Sequence, residues 1–256
     1  MVKSAVRVME ILETVCGHKE GLNQKEISDR LNIPKSSLSS ILTDMTNREY
    51  LLQDRLTKRF VLGPQVLILA GGYLDNQDVV GQGRPMISCL SRETGESGAL
   101  AIPVGLEALL VYKEDCIQPI MPSTQIGTRF PLYASAVGKA LLAYYSDHEI
   151  DQYLQSVPLT PVTRQTVTDR SHLLAELKQI RKIGLAYNRD GYREGITAIA
   201  APVFNHNGRA VASISISVLT ASLTPEKENR YETILKQITA QFSKLLGHNP
   251  KNHLLI

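Results

Sequence analysis

Only three cysteines occur in the sequence, Cys16, Cys89 and Cys116, an odd number, far apart and with no CxxC step. That rules out a disulfide framework and a zinc-finger spacing, and it leaves the thiols as small apolar groups expected to be buried. Long hydrophobic runs are missing as well: nothing approaches the roughly 18 apolar residues that cross a bilayer. Glu10 and Glu13 also interrupt the stretch where a secretory signal would be apolar. The expectation is a soluble cytoplasmic protein with no membrane partner. Excess charge is slight, since 28 basic against 25 acidic residues give +3, a balance that neither demands nor forbids a polyanionic partner. Internal repeats and low-complexity segments are absent. With 43% apolar and 21% charged residues over 256 positions, what remains is a globular chain long enough for one large or two smaller cores.

Catalytic signatures are equally scarce. Neither GxSxG nor SxxK occurs, and the six histidines form no HxxxH pair. Gly138-Lys139 could pass for part of a phosphate loop, but Tyr133 stands where the first glycine is needed and Ala140 where the serine or threonine is needed. Lys139 is expected to cap or pair. Asp190 and Arg193-Glu194 read as a charged loop, solvated or lid-like, rather than as a catalytic carboxylate pair. No catalytic residue, metal site or cofactor is expected.

The first sixty residues carry a clear pattern. Ala5, Val8, Leu12 and Val15 recur at helical spacing until Gly17 and Gly21 stop them. Asn23 caps a short helix, QKEISDRL, which breaks at Asn32-Ile33-Pro34. Pro34 then opens a third helix whose Leu38, Ile41, Leu42 and Met45 make one apolar stripe. YLLQD and RFVLG alternate about a polar tip from Arg55 to Lys58, which predicts a β-hairpin. Together these predict a winged helix-turn-helix over residues 1–62.

A linker helix over 63–76 follows, weakened by Gly71-Gly72. Residues 77–256 then read as a separate domain: a helix over about 78–94, strands SGALAIPVG and ALLVYKED, further helices, and two long strands. Those two strands flank Asn205-His206-Asn207-Gly208, the strongest short hairpin signal in the chain. A terminal helix opens at Thr224-Pro225 and closes at Gly247. The fold class is α+β.

On a helical wheel, the third helix places Ser36, Ser40 and Thr43 opposite its apolar stripe, flanked by Lys35 and Ser39. Alone, such a face could be solvated surface. Behind a short helix and a three-residue turn, and beside a wing holding Arg55, Lys58 and Arg59, it points to a major-groove reader of double-stranded operator DNA. The expected contacts are Ser36, Ser37, Ser39, Ser40 and Thr43 from the helix, and Lys3, Arg7, Lys35, Arg55, Lys58 and Arg59 mostly to phosphates. The first two turns offer no Arg, Asn or Gln for a bidentate base contact, so direct readout per half-site should be weak. Asp44 should repel phosphate unless it is turned away.

These segments resemble the IclR family of bacterial transcriptional regulators. SAVRVMEILE, GLNQKEISDRLNIPKSSLSSIL, YLLQD and FVLG are similar to its N-terminal winged helix, and PLYASAVGKALLAY, GITAIAAPVFNHNG and AVASISIS to its C-terminal domain. The resemblance implies a GAF-like effector-binding and oligomerising domain, an antiparallel sheet flanked by helices, in a homodimer or homotetramer. It also implies effector contacts at Ala136, Val137, Asn188, Ile196, Ala198, Ser215 and Ser217, with Tyr133 in place of a frequent histidine. Ser39-Ser40 replace a frequent His-Arg, Ala198 a frequent cysteine and Asn188 a frequent acid, so neither operator nor effector carries over by name.

The residues themselves add some chemistry to that domain. A helix is expected to start near Ser135, leaving N–H groups around Ala136 and Val137 for a carboxylate or carbonyl oxygen. Ser213, Ser215 and Ser217 alternate with Ile214, Ile216 and Val218, so one strand face is core and the other offers hydroxyls, toward a ligand or toward solvent. An amide at Asn188 favours a small organic acid as effector. Two rival readings remain at this point: a ligand-free regulator whose second domain only oligomerises, and an enzyme-derived domain tethered to DNA.

Overall fold

The computed structural model describes residues 3–75, 78–115 and 124–248. Contacts divide the chain into two compact units, Met1–Gln77 and Asp78–Ile256.

The N-terminal unit comprises α1 (Lys3–Cys16), α2 (Gln24–Leu31), α3 (Lys35–Asn47), strands β1 (Leu51–Gln53) and β2 (Phe60–Leu62), and α4 (Pro64–Asp75). Asn23 Oδ1 accepts the Glu26 N–H at 2.9 Å while Glu26 Oε2 accepts the Asn23 N–H at 2.8 Å, a reciprocal cap that fixes where α2 begins. Asn32 ends the helix in the left-handed region at φ 51°, which asparagine tolerates better than most residues. Ile11, Val15, Ile27, Leu38, Leu42, Met45, Leu51 and Phe60 close one core under the three helices and the hairpin. β1 and β2 pair antiparallel, Leu51 opposite Leu62 and Gln53 opposite Phe60. Gly21 (φ 69°) lies so near this hairpin that a Cβ would stand 2.6 Å from the Phe60 carbonyl oxygen, so only glycine lets the chain pass there. Burial of the cysteines was expected; instead Cys16, the last residue of α1, is exposed, and Cys89 is only half-buried. Cys116 lies outside the described residues.

The second unit comprises α5 (Asp78–Thr94), β3 (Ser97–Val104), β4 (Glu107–Glu114), β5 (Arg129–Pro131), α6 (Ala136–Leu142), α7 (Asp147–Ser156), α8 (Arg170–Ile183), β6 (Ala186–Arg189), β7 (Ile196–Phe204), β8 (Ala210–Leu219) and α9 (Pro225–Leu245). Its six strands form an antiparallel sheet in the order β5-β4-β3-β8-β7-β6. Thr224 caps α9 and Pro225 occupies its first turn, as the sequence predicts. The molecule is thus an α+β protein with an N-terminal helix-turn-helix and a C-terminal sheet carrying helices.

Period-two alternation gives this sheet two unlike faces. Leu100, paired with Ile214, packs with Phe242 of α9 around Gly83 of α5, forming the large-residue face. On the opposite face stand Ala99, Ala101, Ala200, Ser213 and Ser215, in register across β3, β8 and β7. α6 packs there, held by the Ser213 hydroxyl, which donates to the Val137 carbonyl at 3.0 Å. Small side chains on that face create the space that the site occupies.

Candidate functional site

Among the described residues, each unit has a place where packing leaves polar chemistry open. In the N-terminal unit, Leu38, Leu42 and Met45 turn inward on α3 while Lys35, Ser36, Ser39, Ser40, Thr43 and Asp44 are exposed. Ser37 and Ile41 are half-buried at the border. Thr43 donates its hydroxyl to the Ser39 carbonyl at 2.9 Å, so what it offers outward is an acceptor. Lys3 is exposed and Arg7 half-buried on α1.

The wing separates its three cations. Arg55 and Lys58 are exposed, but Arg59 is half-buried and bonded within the domain: Nη1 donates to the Gly21 carbonyl at 2.7 Å, and Nη1 and Nη2 donate to the two Glu26 carboxylate oxygens at 3.2 Å each. The sequence grouped Arg59 with Arg55 and Lys58 as phosphate contacts. The structure corrects that placement, because this half-exposed guanidinium is engaged with a carboxylate and a carbonyl and joins the wing to α2. The Asn23 N–H chiefly, then the Arg59 charge, holds the Glu26 carboxyl below the usual carboxylate range. At the tip, Asp54 Oδ1 accepts the Leu56 N–H at 3.0 Å, the Thr57 N–H at 2.6 Å and the Thr57 hydroxyl at 2.8 Å. These bonds lower the Asp54 carboxyl and keep it occupied within the turn.

In the C-terminal unit a cavity of about 910 Å³ lies over the small-residue face of the sheet. Seven of the eight positions singled out from the resemblance line it: Ala136, Val137, Asn188, Ile196, Ala198, Ser215 and Ser217. Tyr133 does not. Its ring is buried and its hydroxyl donates to the Thr160 carbonyl at 2.6 Å, so it holds the 131–135 segment in place from behind. Strand register explains the grouping, since Asn188, Ala198, Ser217 and Ser97 follow one another across β6, β7, β8 and β3 in a single row. Ser215, buried, and Ser217, half-buried, therefore border a partly open cavity.

One of the two Asn188 side-chain N–H groups is engaged within the fold. It donates to the Ala134 carbonyl at 2.6 Å, which ties β6 to the approach of α6. α6 itself is seven residues long and is capped by Ser135, whose hydroxyl accepts the Gly138 N–H at 3.0 Å. Gly138 is required: a Cβ there would sit 2.4 Å from the Leu132 Cα. Lys139 is buried and paired with Glu176 of α8; burial lowers its pKa, and the Glu176 charge opposes part of that. The Asp190–Gly195 loop is braced rather than loose. Asp190 Oδ1 accepts the Gly195 N–H at 2.7 Å and the Thr220 hydroxyl at 3.1 Å, while Thr163 and Thr166 donate to the Asp190 and Gly191 carbonyls.

Sequence reasoning missed several wall residues: Ser97, Ala99, Lys113, Phe130 and Tyr192. Phe130 and Tyr192 meet edge to face with ring centroids 5.2 Å apart, and burial raises the Tyr192 hydroxyl. Lys113, opposite Ala99 in the β3–β4 ladder, pairs with Asp115 at 2.7 Å. The alternation in SGALAIPV carried a signal for Ser97 and Ala99, whereas Phe130 and Tyr192 are joined only by tertiary folding. Among the described residues no cluster of three or more His, Cys, Asp or Glu is placed to hold a metal, and no helix is long and apolar enough to cross a membrane.

Comparison with known proteins matches both units. Residues 4–55 fit the model of the IclR helix-turn-helix domain, and residues 71–244 fit that of the bacterial transcriptional regulator IclR C-terminal domain. The chain is 27% identical over 248 residues to the HTH-type transcriptional regulator XynR of Escherichia coli K12, covering 97% of this chain and 98% of that one. The crystal structure of the Thermotoga maritima IclR superposes with a TM-score of 0.84 at 27% identity, over 97% of this chain and 100% of that one. An IclR homologue from Microbacterium hydrocarbonoxydans, solved in complex with 4-hydroxybenzoate, shares the fold with a TM-score of 0.82 at 22% identity, over 95% and 98% of the two chains. With family models covering both its helix-turn-helix and its sheet domain, this chain belongs to the IclR family of transcriptional regulators and carries that family's DNA-binding helix-turn-helix.

Proposed function

We propose that this regulator changes its affinity for operator DNA in the cytoplasm when a small organic acid occupies the cavity of its second domain, residues 77–256. The observation that carries the reading is the cavity of about 910 Å³ bordered by the Ser215 and Ser217 hydroxyls and the Phe130–Tyr192 pair. A partly open, mostly apolar space with a few hydroxyls suits a small carboxylate with an apolar body. The Microbacterium homologue, whose bound molecule is an aromatic acid, is in keeping with that class. Coupling requires the acid to bind one form of the protein better than the other, because equal affinity would shift nothing.

On the DNA side, Ser36, Ser39, Ser40 and Thr43 border the major groove, with Ser37 at the edge of the contact. Lys3, Arg7, Lys35, Arg55 and Lys58 neutralise phosphates. Arg59 contributes by setting the wing, through Glu26. The protein acts as a homo-oligomer, supported by the solvent-facing apolar residues Leu67, Ile68 and Leu69 on α4 and Met9 on α1, which a second copy would cover.

Sequencing the genomic fragments that the purified chain retains supplies the operator. Titrating a panel of oxo, sugar and aromatic acids against operator complexes then reads the coupling. At least one acid is expected to raise the melting temperature of the free protein and to shift operator affinity at least fivefold, the lower end of ordinary coupling energies of about 1–3 kcal/mol. A cavity that answers to no acid, in a chain that still binds its operator, would replace this reading with that of a ligand-free regulator.

A further inference from the structure

Of the four cations that border the cavity among the described residues, Arg92, Arg193 and Lys227 are exposed, whereas the Lys113 side chain is only 19% exposed. Strand register turns it inward: Lys113 stands opposite Ala99, and Ala99 opposite Ser215, so all three share the small-residue face. Its counter-ion is Asp115, at 2.7 Å, whose side chain is 43% exposed. The other acids at the cavity are engaged elsewhere. Glu114 accepts the Ser88 hydroxyl at 2.8 Å and the Tyr112 hydroxyl at 3.1 Å, and Glu96 accepts the Tyr231 hydroxyl at 2.8 Å. A mostly buried ammonium therefore stands at an apolar wall, held by a carboxylate that lies closer to water than the ammonium does.

We infer that Lys113 is the residue that reads the charge of the effector: an organic acid enters with its carboxylate toward Lys113, taking the place of Asp115, and with a hydroxyl or carbonyl oxygen toward Ser215 and Ser217. This rests on the proposed effector role of the cavity and assigns the group that tells an acid from a neutral molecule. A carboxylate leaving water for a mostly apolar space needs a charged donor, because hydroxyls supply only neutral hydrogen bonds, about half as strong. Asp115, in contrast, gives up its ammonium where water can solvate it, so exchanging a partly exposed partner for a more buried one costs little. Two strand spacings of about 4.8 Å separate the Lys113 and Ser215 positions. That separation fits an acid whose second polar group lies several ångströms from its carboxylate. A neutral molecule of the same shape gains nothing from the ammonium and leaves the Lys113–Asp115 pair closed.

The test is calorimetric binding of benzoate, 4-hydroxybenzoate, levulinate and gluconate to the full-length protein, each beside its uncharged primary amide. Wild type is expected to bind at least one of these acids about tenfold more tightly than its amide, the step that a charge-assisted hydrogen bond supplies. Lys113→Met should erase that preference, weakening the acid about tenfold and leaving the amide unchanged, while Lys113→Arg should retain most of it. Asp115→Asn keeps the lysine and removes its competitor, so it should bind the acid about threefold more tightly and the amide as before. That variant also decides the matter if the melting temperature of Lys113→Met shows that it does not fold. An acid preference unchanged in Lys113→Met, or an acid affinity not raised in Asp115→Asn, overturns the assignment of Lys113 and leaves the effector reading intact. Wild type that binds acid and amide equally well overturns it too. Wild type that binds none of these compounds removes both.

Discussion

Serine clusters occur at two places in this molecule and do opposite things. On α3, Ser36, Ser39 and Ser40 are exposed on the side away from Leu38 and Leu42. On β8, Ser213 and Ser215 are buried and Ser217 half-buried, Ser213 fastening α6 to the sheet and the other two bordering a cavity. Composition would class the two runs together. Period separates them: a three-to-four residue spacing lets one helix stripe stay bare, whereas strict alternation puts every β8 serine on the face that α6 must cover. Of the inward serines only Ser213 is seen committed to holding the fold, while Ser215 and Ser217 border the cavity and the α3 serines face outward.

The largest effect that could break this contrast is expected at Gly138, on the inward side. Gly138→Val would drive side-chain atoms into the Leu132 backbone, so the C-terminal unit should lose about 3 kcal/mol or more, or fail to fold, as read by denaturant unfolding. Wild-type stability in that variant would mean that α6 is not seated as described. Next comes the buried pair. Glu176→Ala leaves the Lys139 ammonium without its partner, and since the Glu176 side chain is 29% exposed, a loss of about 2 kcal/mol is expected, below the range for a fully buried pair. Its pH dependence has a definite sign. A lysine whose folded pKa lies below its unfolded value binds fewer protons when folded, so stability should rise with pH through the lowered pKa, and more steeply in the variant.

Smaller effects test the serines directly. Ser213→Ala removes a donor to the Val137 carbonyl and should cost about 1 kcal/mol of stability without any role for DNA. The double substitution of Ser39 and Ser40 by alanine should do the reverse, leaving stability within about 0.5 kcal/mol while operator affinity falls in a gel-shift titration. Equal stability losses in both experiments would erase the distinction. The smallest effect concerns acid. Glu26 is held below the usual carboxylate range, so its contribution is fully present above that range and is lost as pH falls through the folded value. Unfolding of residues 1–77 followed against pH should show an acid-sensitive component that Glu26→Gln diminishes.

Much of the fold was legible because local rules agreed with one another. Asn23 marks a cap, Pro34 a helix start, Asn205 to Gly208 a hairpin and Thr224-Pro225 another start, and each stands where those residues predict. The hydroxyl face of β8 was legible from alternation alone. What escaped were choices between partners far apart in sequence. Nothing local tells Arg59 from Arg55, yet Arg59 meets a carboxylate 33 residues away. No local signal shows that one Asn188 N–H meets the Ala134 carbonyl, 54 residues away. Tyr133 similarly turned from the cavity to Thr160.

The alanines and serines across β3, β7 and β8 have one more consequence. Ladder hydrogen bonds between those strands involve only main chain, so a methyl at position 99 or 198 could be exchanged for a bulkier group and the strands would still pair as before. Such a chassis can be refitted one side chain at a time, its interior narrowed or reshaped while the strand pairing goes untouched.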